Sequence, residues 1–228
     1  MGVQPLPIRT LGSDLEIIRK RSLLWRGIAV AERAFSGALL LLLLPLLIFA
    51  AVTVLVLSRR APLIAHPRMG QGGRAIWVLK LRTMWDRSSP ANSAIRLVER
   101  LASESNGYGP IKNREDPRIT SRFAAFCRKY SIDELPQLWH VCRGEMALIG
   151  PRPLTAQEIE MHYHSAADEL LSATPGLTGL WQIKGRSRLT YLQRRRLDLF
   201  LVRKWSLGLY GKIFFATIPT VLTGKDAW

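Results

Sequence analysis

The sequence predicts an α+β protein, mostly helical, with one segment that belongs in a membrane. Three observations carry this. Residues 37–57 are almost entirely Leu, Ile, Val, Ala and Phe and hold no charged side chain, matching the roughly 20 apolar residues a helix needs to cross hydrocarbon. Residues 75–84 and 147–149 are β-rich runs. Residues 119–129, 133–141, 154–171, 189–204 and 206–222 read as helices. The chain therefore divides into a surface segment (1–27), a membrane segment (28–58) and a folded domain (59–228).

Composition narrows the partners. The chain has 228 residues, 48% of them hydrophobic, enough to bury a core. Lys and Arg number 33 against 17 Asp and Glu, a formal charge of +16. Such a balance implies an anionic partner: nucleic acid, an anionic bilayer surface or phosphorylated substrates. Cys127 and Cys142 lie in no CxxC pattern and near no His pattern, so neither a zinc site nor a disulfide framework is indicated and reduced, structural thiols are expected.

Along the chain, residues 13–26 read as an amphipathic surface helix. Ser13 is its N-cap, Glu16 stands three residues on, and Leu15, Ile18 and Leu24 alternate with Arg19, Lys20 and Arg21. A charged stretch before the apolar run argues against a cleaved signal. Spanning and re-entrant readings of 37–57 both stand. Length favours a spanning helix, whereas Pro45 inside the run and basic residues on both flanks (Arg26 and Arg33 before, Arg59 and Arg60 after) favour a helix that breaks and returns to the same side.

Residues 61–74 are rich in Gly, Pro and Arg and precede the strand at 75–84; the polar stretch 85–115, with a helix near 93–102, is a candidate substrate lid. In the helix at 133–141 Pro136 falls in the first turn, where it is tolerated, and Ser131 is a possible cap. The strand 147–149 runs into Gly150-Pro-Arg-Pro153. The last helix is amphipathic, with Trp205, Leu209, Tyr210, Phe214 and Phe215 available to the core or to a membrane interface.

Chemistry gathers around Asp133 and Glu134. Acidic residues at a helix start are often only dipole partners, but Arg118, Arg122, Arg128, Lys129, Arg143 and Arg152 surround this pair in sequence. A carboxylate that attacks a diphosphate meets negative repulsion, which a divalent cation and guanidinium groups must neutralise. Adjacent carboxylates divide that labour, one oxygen attacking and others holding Mg²⁺. Prolines on both sides give Arg152 a stiff mount for a phosphate. The stretch from Pro175 and Gly176 through Thr178 to Gln182 is a Gly-rich loop suited to a nucleotide or sugar, or simply to a turn. His66, His140, His162 and His164 follow no metal spacing, and His162 and His164 point to different faces of a helix. A basic membrane-surface scaffold remains the rival from a different class.

Taken in order, the apolar segment with its proline, Lys80-Leu-Arg-Thr-Met84, Asp116-Pro-Arg-Ile-Thr120, Arg128 with Ser131-Ile-Asp-Glu-Leu-Pro-Gln-Leu138, Arg143-Gly-Glu-Met146, Gly150-Pro-Arg-Pro153, Pro175 to Gln182 and Arg196-Leu-Asp198 resemble the bacterial sugar transferases, the monotopic polyprenyl-phosphate phosphoglycosyl transferases of the exopolysaccharide-initiating type. The resemblance runs from about Ala29 to the C-terminus and is to the minimal catalytic form. It implies transfer of a sugar 1-phosphate from a UDP-sugar to polyprenyl phosphate through a phosphosugar-aspartate, with release of UMP. It also implies Asp133 as nucleophile and metal ligand, Glu134 as its partner, and Mg²⁺ as cofactor. Arg128, Arg152, Lys80, Arg82 and Arg118 become phosphate-site residues, and Gln137, Pro175, Gly176, Thr178 and Gln182 nucleotide or sugar contacts. The implied setting is a re-entrant helix broken at Pro45, a catalytic domain on the cytoplasmic face of the bacterial inner membrane, and no nucleic acid; a homodimer is left open. UDP-glucose or UDP-galactose is the expected donor. Ser36, His140 and the stretch 58–67 depart from the family pattern.

Overall fold

The structure, a computed structural model, describes residues 23–85, 119 and 121–224. The surface segment through residue 22, the candidate lid from residue 86 and Arg118 lie outside the described residues. Helix α1 spans Leu23–Ser58, 36 residues with Pro45 inside, a length of about 54 Å at 1.5 Å per residue. The helix is not interrupted at Pro45: proline removes one amide donor, and the turns on either side keep theirs.

One stripe of α1 is covered by protein. Glu32, Ser36, Ala50 and Val54 are buried, with Leu39, Leu40 and Leu43 half-buried between them. The spacing of three, four and seven is that of a single helical face. The remaining surface, including Leu41, Leu42, Ile48, Val52 and Val56, is exposed. Both halves of α1 touch the same folded domain. Before Pro45, Leu39, Leu40 and Leu43 pack on the main core, and Glu32 accepts hydrogen bonds from the Leu148 amide at 3.2 Å and the Tyr210 hydroxyl at 2.9 Å. After it, Phe49 meets the edge of Phe123 at 6.3 Å and Val54 packs with Trp85 and Ala124.

Strands β1 (Leu63–Met69) and β2 (Ala75–Leu81) form an antiparallel hairpin in which Ile64 faces Lys80 and Pro67 faces Trp77. β1 lies in the stretch 61–74, for which the Gly-, Pro- and Arg-rich composition predicted no element. Pro67 argues against a strand interior, but a two-stranded hairpin has only edge strands, where a missing donor costs little. Helix α2 (Arg122–Lys129) starts at Ser121, whose hydroxyl accepts from the Ala124 amide. A 3₁₀ turn, Ile132–Gln137, then leads into α3 (Leu138–Cys142), so the expected single helix at 133–141 is two short pieces with Pro136 inside the first.

Strands β3 (Ala147–Ile149) and β4 (Gly176–Thr178) pair in parallel, joined by α4 (Ala156–Tyr163), a 3₁₀ turn and α5 (Ala167–Leu171). Here glycine is required by space: a Cβ on Gly176 would meet the backbone of Gly150, and one on Gly150 would meet Thr174 and Gly176. The chain continues through α6 (Leu180–Lys184), α7 (Tyr191–Arg203) with a Thr190/Gln193 capping box, and α8 (Leu207–Thr223) capped by Ser206.

Two clusters make up most of the core. The first joins Val78, Leu138, Val141, Met146, Ile149, Leu201 and Ile213, each large apolar side chain contributing about 1.5–3 kcal/mol on burial. The second joins Met69, Leu154, Ile159, Tyr163, Leu170 and Leu199. Helix α8 turns one face to the core. Leu209, Tyr210 and Phe214 pack on the core, while Phe215, Ile218 and Leu222 stay exposed. Both cysteines are free thiols, Cys127 buried.

Candidate active site

Asp133 and Glu134 sit side by side on the 3₁₀ turn, in different surroundings. Asp133 is 7% exposed. Glu134 accepts a hydrogen bond from Lys80 Nζ at 2.6 Å. Lys80 reaches it because β2 is tied to α3: the Leu79 amide donates to His140 Nε2 at 3.1 Å. With Nε2 accepting, the ring proton sits on Nδ1 and is donated to Glu145 Oε2 at 2.6 Å. Arg143 Nε meets the other Glu145 oxygen at 2.8 Å. His140, which follows no metal spacing, is thus a buried strut behind the dyad.

The turn itself carries strain. Ser131 has φ 57°, a left-handed conformation unusual for serine, and makes no side-chain cap. This corrects the expectation of a helix cap there. Its hydroxyl instead accepts from Arg186 NH2 at 2.6 Å, and Arg186 also has positive φ, 45°. Cys127 lies close enough to feel Asp133: burial, then the negative charge of Asp133, pushes the thiol up to about 12. At neutral pH it stays protonated and is no rival nucleophile.

Three of the expected phosphate residues divide into two groups. Lys80 joins the dyad, and Arg128 lies in the last turn of α2, a helix that packs against the dyad's turn, with its Nε buried and unbonded. Arg152 instead stands over Trp181, 5.0 Å from the ring. The segment containing Trp181 and Arg186 connects the groups, because Arg186 grips Ser131. Arg82 donates to the Ala61 carbonyl at 2.8 Å and so holds the exit from α1. With Arg68 and Lys80 it adds to the burial that lowers the His66 pKa.

The Gly-rich stretch is more ordered than a loop. Gly176 and Thr178 belong to β4, Gln182 lies on α6 with its amide donating to the Leu177 carbonyl at 3.1 Å, and Gln137 is buried at the end of the dyad's turn. His162 stacks on Tyr191, ring centroids 4.0 Å apart, rather than facing only solvent.

Sequence reasoning missed Arg186, Tyr163, Arg194 and the role of Trp181. Gly185 before Arg186 and a lone Asp198 in an arginine-rich helix were the available signals.

As to a metal, no group of three or more His, Cys, Asp and Glu gathers among the described residues. Mg²⁺ does not need one. It is commonly held by one or two carboxylates with water and substrate phosphates, and Asp133 beside Glu134 offers carboxylate oxygens of that kind.

Comparison with known proteins adds an independent line. A family model described as bacterial sugar transferase matches residues 26–224. The chain is 40% identical over 203 residues to a UDP-galactose-lipid carrier transferase of Erwinia amylovora, covering 86% of this chain and 41% of that protein. It is 36% identical to the exopolysaccharide production protein ExoY of Rhizobium meliloti, covering 87% of this chain and 88% of the other. A UDP-glucose:undecaprenyl-phosphate glucose-1-phosphate transferase of Caulobacter vibrioides is 35% identical, with 87% and 71% covered. The chain spans less than half of the Erwinia protein's length.

Proposed function

Because this chain belongs to the bacterial sugar transferase family, we propose that it transfers a sugar 1-phosphate from a UDP-sugar to polyprenyl phosphate, initiating exopolysaccharide synthesis. The observation that carries this reading is the pair of adjacent carboxylates on one turn, one buried and one held by Lys80. A carboxylate oxygen of Asp133 attacks the β-phosphorus of the donor. The bond from that phosphorus to the oxygen bridging the α-phosphate breaks, UMP leaves, and a sugar-phosphoryl-aspartate remains. An oxygen of polyprenyl phosphate then attacks the same phosphorus, and Asp133 is released as a carboxylate.

Lys80 fixes the direction of Glu134, so the second carboxylate keeps its place while charge moves on the first. Arg128 and Arg152 bind donor oxygens and offset the repulsion between carboxylate and diphosphate. Asp133 and Glu134 would hold Mg²⁺, which supplies charge neutralisation at those same oxygens. UDP-glucose and UDP-galactose are the donors to try first, since relatives are named for both sugars.

The membrane reading is a re-entrant α1 that bends at Pro45 while staying helical, entering and leaving through the inner leaflet with the domain on the cytoplasmic face. It is supported by protein contacts on both sides of Pro45 to one folded domain and by Arg26 and Arg33 on one flank with Arg59 and Arg60 on the other. A helix held this way puts the dyad at the depth of the lipid phosphate, where both substrates meet.

The test is turnover of purified Asp133→Asn with UDP-glucose or UDP-galactose and undecaprenyl phosphate. UMP release should fall to background, and EDTA should silence the wild type until Mg²⁺ is restored. Undiminished release by the variant would remove the covalent role.

A further inference from the structure

Asp198 is a buried acid that the reaction above does not use. It is 0% exposed on α7, accepts from the Tyr163 hydroxyl at 2.9 Å, and leaves Oδ1 buried without a hydrogen-bond partner. Burying a carboxylate with one oxygen unbonded is costly, so its surroundings should show what it is for. They are cationic. Arg194, one turn earlier on α7 and 2% exposed, stands 4.2 Å from the Trp181 ring, and Arg152 stands 5.0 Å from the same ring. The Nε atoms of both arginines are buried and unbonded, so stacking and electric field orient these guanidiniums.

Two like charges on one indole repel each other, and Asp198 faces both. Burial, and then the charge of Arg152, holds the Arg194 guanidinium down to about 10, with Asp198 opposing. The Arg152 backbone N–H also faces the Asp198 carboxylate, so the acid acts on the mount of Arg152 as well as on its charge. Glu158 on α4 is the second carboxylate near Arg152. Burial works against its ionisation, yet Arg152, the Thr155 amide and Arg68 hold it below the usual carboxylate range.

We propose that Asp198 is a positioning residue for nucleotide binding: through the Arg152 amide and the Arg194–Trp181 stack it holds Arg152 where the diphosphate of the donor arrives. Tyr163, reaching across from α4, keeps the acid aimed. This rests on the reading of Arg152 as a phosphate ligand, and it gives a role to Arg196-Leu-Asp198 that the chemistry at Asp133 leaves unexplained.

Four full-length proteins in nanodiscs test it: wild type, Arg152→Ala, Asp198→Asn and the double variant, with UDP binding followed by calorimetry. UDP carries the diphosphate without committing to a sugar. Arg152→Ala should weaken UDP binding at least tenfold, Asp198→Asn should weaken it comparably, and the double variant should bind no worse than the weaker single. With UDP-sugar turnover, Asp198→Asn should raise KM more than it lowers kcat.

If Asp198→Asn does not fold, Tyr163→Phe replaces it, since it removes one hydroxyl and keeps the ring. Its further readout is pH. The groups facing Asp198 are Tyr163 from α4, Arg194 from α7 and Arg152 from the loop after β3. The Tyr163 hydrogen bond favours the ionised acid, so losing it should move the acid limb of UDP affinity to higher pH. Full affinity in Asp198→Asn, effects that add in the double variant, or an unmoved acid limb in Tyr163→Phe overturn the proposal. Full affinity in Arg152→Ala overturns the phosphate reading of Arg152 first, and this proposal with it.

Discussion

Replacing Lys80 with methionine removes an ammonium group while keeping an unbranched stem, so the hairpin can keep its packing as Glu134 loses its partner. The Nζ to Oε1 distance is 2.6 Å, and the two side chains are 24% and 26% exposed, so water screens the pair incompletely. A hydrogen bond to a charged group in such a setting contributes about 1.5–3 kcal/mol. If Glu134 must hold its direction in the transition state, that converts to roughly a 13- to 160-fold loss in kcat. UMP release by the purified chain in nanodiscs, with undecaprenyl phosphate saturating, measures it. Lys80→Arg should recover part of the rate. The double variant Lys80→Met/Glu134→Gln should fall no further than its worse single, because each change already breaks the pair. Wild-type kcat in Lys80→Met, or losses that add in the double variant, would refute the assignment of Lys80 as the group that orients Glu134.

Three further outcomes are expected. Ser131→Gly relieves the left-handed backbone and loses the Arg186 contact, whereas Ser131→Ala loses the contact and keeps the strain; denaturant unfolding should find the glycine variant more stable by about 1 kcal/mol. Burial pushes Asp198 up to about 7 from 3.8; the folded state then keeps a proton that the unfolded state releases, so stability should fall as pH rises between those values. Thermal unfolding of Asp198→Asn should lack that slope, and identical slopes would show that the acid is not the source. Single cysteines at Arg26 and Arg60, placed in a chain lacking Cys127 and Cys142, should both react with an impermeant maleimide from the cytoplasmic side only; reaction from opposite sides would make α1 a spanning helix.

The sequence made some of this legible because the relevant signals are local. An uncharged run, an alternating strand at 75–84, and serine or threonine before an apolar period each act within a few residues, and α1, β2 and the Ser206-capped α8 appear close to where those signals put them. β1 escaped because Pro67 and the flanking basic residues mask its period. Pro136 was read as a first-turn helix residue, but the chain tightens into a 3₁₀ turn there and leaves Ser131 to Arg186.

At the site, adjacency revealed Asp133 and Glu134, and nothing in the sequence could say which of the surrounding cations meets them. Lys80 does so across 54 residues. Tyr163 and Asp198 meet across 35 residues, and Arg186 and Ser131 across 55. Such contacts depend on how β2, α4, α6 and α7 pack, which no short-range period encodes.

The covalent role of Asp133 is tested most directly by intact-protein and peptide mass spectrometry after mixing the full chain with UDP-glucose or UDP-galactose in Mg²⁺ and no polyprenyl phosphate. The predicted result is a hexose-phosphate adduct on the peptide bearing Asp133, absent from Asp133→Asn and discharged when undecaprenyl phosphate is added. UMP release and lipid-linked product formation by a wild-type protein that never carries such an adduct, even under rapid quench, would contradict it.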